Sequence, residues 1–301
     1  MTNRHPSQPA AGQGAWPPEV RPGQSLELLK ALHILTREGK LNQDSRRKLK
    51  QVYHLFQFIE KPLMAMLADK LKQGDTSPLV LADHGAGKSY LGFIIHDLFF
   101  KPQSLQLARP VGQVIGIESR SDLVEVSQQL ADHLGFTQGM RFVNTLVSQA
   151  THDQALPAQV DMVTALHACD TATDDAIAFG LAKQARYMAL VPCCQAEVAS
   201  HLRASKALNL SRTPLAELWR HPLHAREIGS QLTNVLRCLW LQAQGYQVTV
   251  TELVGWEHSM KNELILAHHT GQKKHSAAQR LQALLEAFGL KDMNQRFSLT
   301  K

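Results

Sequence analysis

The sequence is short of cysteine. It has four cysteines in 301 residues, two of them adjacent, and no pair shows the C-x-x-C spacing of a structural zinc site. So few cysteines exclude a scaffold held together by disulfides and argue against a metal centre. We therefore predict a cytoplasmic protein that carries no metal ion.

Long apolar runs are missing as well. The longest candidate, Leu91 to Phe100, is interrupted by His96 and Asp97, whereas a membrane-spanning helix needs about 18 apolar residues. The first twenty residues have no apolar stretch of the kind that a secretory signal contains. We expect neither a membrane span nor a signal peptide. Aromatic residues reach only 6%, which leaves few side chains that could stack on nucleobases.

Charge is present but unevenly distributed. The net charge is +5 over residues 1–77, −5 over residues 78–200 and +6 over residues 201–301. Basic flanks favour a polyanionic partner, while an acidic middle favours a ligand that is uncharged or cationic. Basic helices that only keep the protein in solution would give the same numbers.

Two regions precede the central part of the chain. Residues 1–24 are rich in proline and lack apolar periodicity, so we predict a disordered tail. Residues 25–77 have a helical pattern, with a long helix that Asp44 or Ser45 caps and that ends near Lys72. The first turns of this helix bring four polar side chains to one face, namely Arg46, Lys50, Tyr53 and Gln57.

From Leu79 onwards, short apolar strands alternate with helices. We predict strands at 79–83, 113–118, 141–143, 160–166, 186–191, 247–254 and 263–268, and helices at 88–100, 120–134, 173–185 and 227–244. This alternation predicts a doubly wound, Rossmann-like α/β sheet over residues 78–270, with an antiparallel edge. Residues 196–226 are expected to form a substrate loop, and residues 271–301 a C-terminal helix and tail.

The segment LVLADHGAGKSYLGFII (79–95) places a glycine turn between the first strand and a helix. A P-loop would need a glycine where Ala82 stands, and it would bring Asp83 against a phosphate. A dinucleotide fingerprint lacks its third glycine at Tyr90. S-adenosylmethionine (AdoMet) has no phosphate and carries two positive charges, so Asp83 suits it. Glu118 at the end of the next strand can accept the ribose hydroxyls, and the sequence therefore favours AdoMet.

Polar residues also follow the fourth and fifth strands. His167 and Asp170 lie in LHACDTATDDAI (166–177), and Gln195 follows two cysteines in LVPCCQAE (190–197). Because the carboxyl ends of parallel strands share one edge of the sheet, we expect these groups to face each other across the transferred methyl. Asp174 and Asp175 fall in the first turn of a helix, where a structural role is more common than a catalytic one.

Taken together, these segments resemble a family of class I AdoMet-dependent methyltransferases. It includes the eukaryotic tRNA 2′-O-methyltransferase of the acceptor stem, the methyltransferase-like 25 proteins and the methyltransferase domain of the glutathione S-transferase C-terminal-domain-containing protein. The resemblance covers about residues 46–200 and rests on DHGAGKSYLGF (83–93), LHACDTATDDAI (166–177), PCCQ (192–195) and the basic helix RRKLKQVYHL (46–55). The family often has glycine where Asp170 stands, and an aromatic residue or histidine where Gln195 stands.

The resemblance implies a role for each candidate residue. The cofactor-binding set would be Asp83, Gly85, Gly87, Lys88, Glu118, Asn144 and Leu166. The catalytic set would be His167, Asp170, Cys193 and Gln195, with His167 or Asp170 as general base where the acceptor needs one. The substrate-binding set would be Arg46, Lys50 and Cys194.

The acceptor is predicted less sharply than the cofactor. The basic flanks favour RNA, whereas the acidic centre suits a protein or a small molecule as the acceptor. Because Asp170 and Gln195 depart from the family pattern, a non-catalytic AdoMet-binding scaffold is the third hypothesis. The sequence carries no signal for the oligomeric state.

Overall fold

The computed structural model describes residues 17–166, 168–192, 195–204, 213–253 and 263–298. Its strands are β1 (Leu79–His84), β2 (Gly112–Glu118), β3 (Met140–Asn144), β4 (Met162–Ala165), β5 (Tyr187–Leu190), β6 (Tyr246–Glu252) and β7 (Glu263–His269). All seven predicted strands are confirmed, with ends that differ by a few residues.

The strands form one sheet in the order β3-β2-β1-β4-β5-β7-β6. The first five pair in parallel, and β7 pairs antiparallel with both β5 and β6. The predicted Rossmann-like sheet with an antiparallel edge is thus confirmed. The strand order reverses direction between β1 and β4, which creates the crevice where ligands of open α/β sheets bind.

Helices connect and cover these strands. They are α1 (Leu26–Ala31), α2 (Gln43–Lys72), α3 (Tyr90–Ile95), α4 (Lys101–Leu107), α5 (Ser121–His133), α6 (Thr171–Ala182), α7 (Glu197–Ala204), α8 (Pro222–Ala243) and α9 (His275–Ala287). A π-helical segment, His96–Phe100, joins α3 to α4, and short 3₁₀ helices lie at Ala150–His152, Pro214–Trp219 and Lys291–Gln295. No described helix is both long enough and apolar enough to cross a bilayer.

Several helix boundaries differ from the prediction; the predicted helix 88–100, for example, begins at Tyr90 and continues through the π-helical segment into α4. The cap of α2 is Asn42, whose side chain accepts a hydrogen bond from the Ser45 N–H, and neither Asp44 nor Ser45 takes this role. Helix α8 begins at Pro222, which suits a first helical position because proline has no N–H to satisfy there. The predicted substrate loop 196–226 therefore contains α7, a 3₁₀ helix and the first turn of α8.

Alternate residues of the strands pack into two hydrophobic cores, one on each face of the sheet. In β1, Leu79 and Leu81 are fully buried against α1, α2 and α3, while Ala82 points to the other face, which α6, α8 and α9 cover. This period of two is what the pleat of a strand imposes. The N-terminal helices thus share a core with one face of the sheet.

Candidate active site

The turn after β1 has a backbone shape that opens space at the carboxyl edge of the sheet. Gly85 and Gly87 have φ angles of 62° and 57°, which glycine adopts without strain. A Cβ atom at Gly85 would lie 3.4 Å from Cα of Ala168, so this turn touches the segment that follows β4. At Gly87, the nearest described atom would be Nη2 of Arg120, 3.9 Å away. We call the space beside Gly87, bordered by Arg120, the cradle.

Asp83 lies beneath this cradle. Its carboxylate is only 2% exposed and accepts hydrogen bonds from the Thr164 hydroxyl at 2.7 Å and the Ser89 hydroxyl at 3.3 Å. Burial raises its pKa to about 6, although the two hydroxyl donors oppose the rise. Asp83 can therefore act on a ligand through Ser89 and the turn, or through its charge.

His84, the last residue of β1, is fully buried. Neither ring nitrogen has a hydrogen-bond partner in the part of the chain that the structure describes, and the ring packs edge-on against Phe179 at 4.4 Å. Burial lowers its pKa to about 3, so the imidazole is neutral at physiological pH. Sequence reasoning passed over His84, although a histidine inside the glycine motif was a signal.

Glu118 closes the other side of the cradle. One carboxylate oxygen, Oε2, accepts the Gly87 N–H at 2.8 Å, and the other, Oε1, accepts the Arg120 N–H at 3.1 Å. The Arg120 guanidinium reaches back to both oxygens. Burial acts to raise the pKa of Glu118, but these hydrogen bonds outweigh it and the pKa lies below its ordinary value. Glu118 is therefore an ionised acceptor beside Gly87.

The other predicted cofactor residues surround this point. Asn144 ends β3 beside Glu118, and its amide donates to the Glu118 and Ser119 carbonyls at 3.1 and 3.0 Å. Lys88 is exposed on the glycine turn, and Leu166 lies half-buried just after β4. The structure therefore places all seven predicted cofactor residues at the carboxyl ends of β1 to β4 or just after them; whether they bind the cofactor stays a prediction.

Asp170 precedes α6 in a backbone conformation that favours glycine, with φ 50° and ψ −121°. Two contacts hold it there. Its carbonyl accepts from Nη2 of Arg237 at 2.7 Å, and its carboxylate accepts the Ala196 N–H at 3.2 Å. Asp170 thus links the segment after β4 to the segment after β5.

Gln195 is 5% exposed and faces α8. Its amide donates to Oδ1 of Asn234 at 2.9 Å, and its carbonyl oxygen accepts from the Ser230 hydroxyl. Asn234 in turn donates to Glu263 at 2.7 Å. Direct contact between Gln195 and an acceptor would require these hydrogen bonds to open.

A buried ion pair anchors the same helix. Arg237 is fully buried, and its Nε donates to Asp174 at 2.6 Å while its Nη1 donates to Asn234 at 3.1 Å. Arg296 lies 3.7 Å from the second oxygen of Asp174 and also pairs with Glu197. Asp174 therefore has the structural role that its place in the first turn of α6 suggested.

Ser230, Asn234 and Arg237 form a polar stripe along α8, and sequence reasoning missed it. Their spacing of i, i+4 and i+7 puts them on one helix face. Three polar residues at this spacing, among apolar residues of the same helix, were the signal in the sequence that a buried polar network lies here. We call these three residues the α8 stripe, because together they hold the segments after β4 and β5.

Three predicted site residues, His167, Cys193 and Cys194, lie outside the described residues. Their roles remain predictions. The neighbours Leu166, Ala168, Pro192 and Gln195 are described and lie at the carboxyl ends of β4 and β5.

The predicted substrate residues Arg46 and Lys50 lie on α2. They line a groove of about 430 Å³ together with Tyr53 and Gln57, which confirms that the four side chains share a face. Arg46 also pairs with Glu19 at 2.8 Å. The far end of α2 is fixed at the opposite edge of the sheet, where Asp69 pairs with Arg186 just before β5.

Comparison with known proteins identifies the fold's family. Residues 47–201, just over half of the chain, match the model of a family described as a methyltransferase domain. The chain belongs to this methyltransferase family. Members use AdoMet as the methyl donor. A comparison with curated proteins finds no match.

Several solved structures resemble this methyltransferase in outline. Magnesium protoporphyrin IX methyltransferase from Synechocystis PCC 6803, with bound S-adenosylhomocysteine, is 14% identical; the match covers 82% of this chain and 96% of that one, with a TM-score of 0.39. TrmK from M. capricolum is 8% identical over 66% of each chain, with a TM-score of 0.39. The fibrillarin pre-rRNA processing protein of Methanococcus jannaschii is 10% identical over 65% of this chain and 68% of that one, with a TM-score of 0.36.

The described residues fit the cofactor of the family. A Cβ atom at Gly87 would have no described neighbour closer than 3.9 Å, so the turn leaves room for a ligand there, and the ionised Glu118 carboxylate accepts the Gly87 N–H at 2.8 Å. No described basic side chain is hydrogen-bonded to Asp83, so its charge is available to a cationic ligand. AdoMet, a cationic ligand without a phosphate, suits these features.

Proposed function

We propose that this methyltransferase transfers the AdoMet methyl group to RNA, and that tRNA is the first RNA to test. The observation that carries the RNA proposal is the exposed basic start of α2, with Arg46, Arg47, Lys48 and Lys50 beside the groove described above. The resemblance of the motifs to the acceptor-stem tRNA 2′-O-methyltransferase family supports tRNA within that class.

Within the cofactor site, Glu118 would accept the ribose hydroxyls, and Gly87 would let the ligand approach the turn. Asp83 would offset positive charge from beneath the turn. Asn144 would border the adenine and hold the segment after β2 through its bonds to the Glu118 and Ser119 carbonyls. These roles follow from the positions of the residues around one cradle.

AdoMet, when bound, supplies an electrophilic methyl carbon for in-line displacement by the acceptor. The chain's main contribution is alignment, because positioning two reactants is worth roughly 7–11 kcal/mol. Gln195 would contribute by fixing the segment after β5, because Asn234 and Ser230 hold its amide. His167 or Asp170 would take the proton from a hydroxyl acceptor.

A protein or a small molecule is the alternative acceptor, and one observation favours it. The carboxylates Asp83, Glu118 and Asp170 all lie at the carboxyl edge, where they would attract a cationic acceptor and repel phosphate. The RNA proposal therefore requires the phosphates to bind on α2, away from this edge.

The test is methyl transfer from labelled AdoMet into a lysate of a strain that lacks this gene. RNA, protein and small-molecule fractions are counted separately, with Glu118→Gln and Asp83→Ala as blanks. Label in RNA that both blanks abolish supports the proposal. Label only in protein or metabolites refutes the RNA acceptor, and cofactor binding without any transfer favours a scaffold.

The α2 contacts can be tested with a matched pair of variants. Lys48→Gln/Lys50→Gln removes two charges at the groove end of α2, and Lys61→Gln/Lys72→Gln removes two exposed charges farther along the same helix. If Lys48 and Lys50 contact phosphates, the first variant lowers the slope of log affinity for total RNA against log salt by about 1.4–1.8. The second variant leaves the slope unchanged. Equal slopes in both variants would rule out this phosphate site.

A further inference from the structure

The Glu118 carboxylate accepts four well-placed hydrogen bonds from its own chain. Two come from backbone N–H groups, of Gly87 to Oε2 at 2.8 Å and of Arg120 to Oε1 at 3.1 Å. Two come from the Arg120 guanidinium, from Nε to Oε1 at 3.0 Å and from Nη2 to Oε2 at 3.3 Å. The Ser119 hydroxyl adds a long contact to Oε1 at 3.4 Å.

A carboxylate offers about four lone-pair positions, two on each oxygen. Each oxygen of Glu118 uses one for a backbone N–H and one for the guanidinium of Arg120. The backbone donors belong to the turns and cannot leave without unfolding them. Only the two guanidinium contacts can therefore be exchanged for other donors, one on each oxygen.

The guanidinium also stands in the space that a ligand would enter. Its Nη2 is the nearest described atom to the position of a Cβ on Gly87, at 3.9 Å. The Arg120 side chain is 62% exposed, whereas that of Glu118 is 6% exposed. Its backbone precedes α5 in an ordinary extended conformation, with φ −88° and ψ 110°. The side chain can thus swing into solvent by rotamer change, with the backbone left in place.

We infer that the Arg120 side chain is a displaceable plug of the cofactor site. It occupies the two acceptor positions on the Glu118 carboxylate that the ribose diol of AdoMet requires. This inference rests on the proposed role of Glu118 as the ribose acceptor. On binding, two hydroxyl donors replace two guanidinium donors, and the backbone N–H groups of Gly87 and Arg120 stay on the carboxylate. The exposed Arg120 side chain then points away from Glu118.

The exchange predicts that removing the Arg120 cation from the site strengthens ligand binding, whereas loss of a binding-site side chain usually weakens it. An exposed ion pair is worth little, so Arg120→Met should bind S-adenosylhomocysteine about two- to fivefold more tightly than the wild type. The 2′-deoxy analogue of S-adenosylhomocysteine has one ribose hydroxyl and displaces one guanidinium contact, so its affinity should rise by a smaller factor in Arg120→Met. Arg120→Lys, which cannot form the fork, should fall between the wild type and Arg120→Met.

Calorimetric titration with these two ligands tests the inference without an identified acceptor. Arg280→Met, an exposed arginine of α9, is the matched control and should bind as the wild type does. Weaker or equal binding of S-adenosylhomocysteine by Arg120→Met would overturn the plug. So would an equal gain for both ligands. If the wild type and all variants failed to bind S-adenosylhomocysteine, the proposed cofactor site itself would be wrong.

Discussion

Asp83 and His84 are adjacent, and burial moves their pKa values in opposite directions. The pKa of His84 falls from 6.5 to about 3, and that of Asp83 rises from 3.8 to about 6. Between pH 3 and 6.5 the unfolded chain binds more protons at His84, so the free energy of unfolding falls as the pH drops. Between pH 3.8 and 6 the folded chain binds more protons at Asp83 than the unfolded chain does. This contribution to the free energy of unfolding therefore falls as the pH rises.

The two effects partly offset each other in the wild type. Between pH 7.5 and pH 5, His84 lowers the free energy of unfolding by about 2 kcal/mol, and Asp83 raises it by about 1 kcal/mol, at about 1.36 kcal/mol for each pKa unit. Relative to the wild type, His84→Leu should therefore gain about 2 kcal/mol on acidification. Asp83→Asn should lose about 1 kcal/mol over the same interval.

Urea unfolding at pH 7.5 and pH 5 measures these differences, provided that the dependence on urea is the same in each variant. His275→Gln, a change at an exposed histidine of α9, serves as control and should follow the wild type. If His84→Leu and the wild type lost the same free energy between the two pH values, the imidazole would not be held neutral in the fold. The reasoning from burial would then be refuted.

Three further predictions concern the polar network around α8. Asp170→Gly should be more stable than Asp170→Ala by about 1 kcal/mol in urea unfolding, because both lose the carboxylate but only alanine retains the strain of a positive φ. Arg237→Met should lose about 3–5 kcal/mol by leaving Asp174 buried without its partner, and the double variant with Asp174→Asn should lose less than the sum of the two single changes. Asn234→Asp should lower the thermal midpoint by placing a carboxylate against Glu263, and adding Glu263→Gln should restore it because the hydrogen bond reforms with its direction reversed.

The centre of the sheet could be predicted because β1, β2, β4 and β5 carry nearly continuous apolar runs, and burial on both faces demands such runs. Helix starts were harder. Asn42, Asp44 and Ser45 are all good caps within four residues, and only the chain geometry selects Asn42. The start of α8 was predicted five residues late because Pro222 was not used as a signal for a first helical turn.

The cofactor side of the site was predictable, since each residue on it ends or follows a strand in a local motif. The acceptor side was not, because its contacts join distant parts of the chain. Asp174 and Arg237 are 63 residues apart, and Gln195 and Asn234 are 39 apart. No local pattern pairs such residues. Asp170 itself has a backbone conformation that suits glycine, which the sequence at that position does not indicate.

The sequence pattern changes near residue 78, but the hydrophobic core does not, because α2 and β1 share it. Phe56, Ile59 and Leu63 of α2 are fully buried in the same cluster as Leu79 and Leu81. A fragment that began at residue 78 would lose α1 and α2 and expose part of this core to water, and such a surface recruits other chains. Helices α1 and α2 therefore keep this face of the sheet covered, and their removal should give a protein that precipitates.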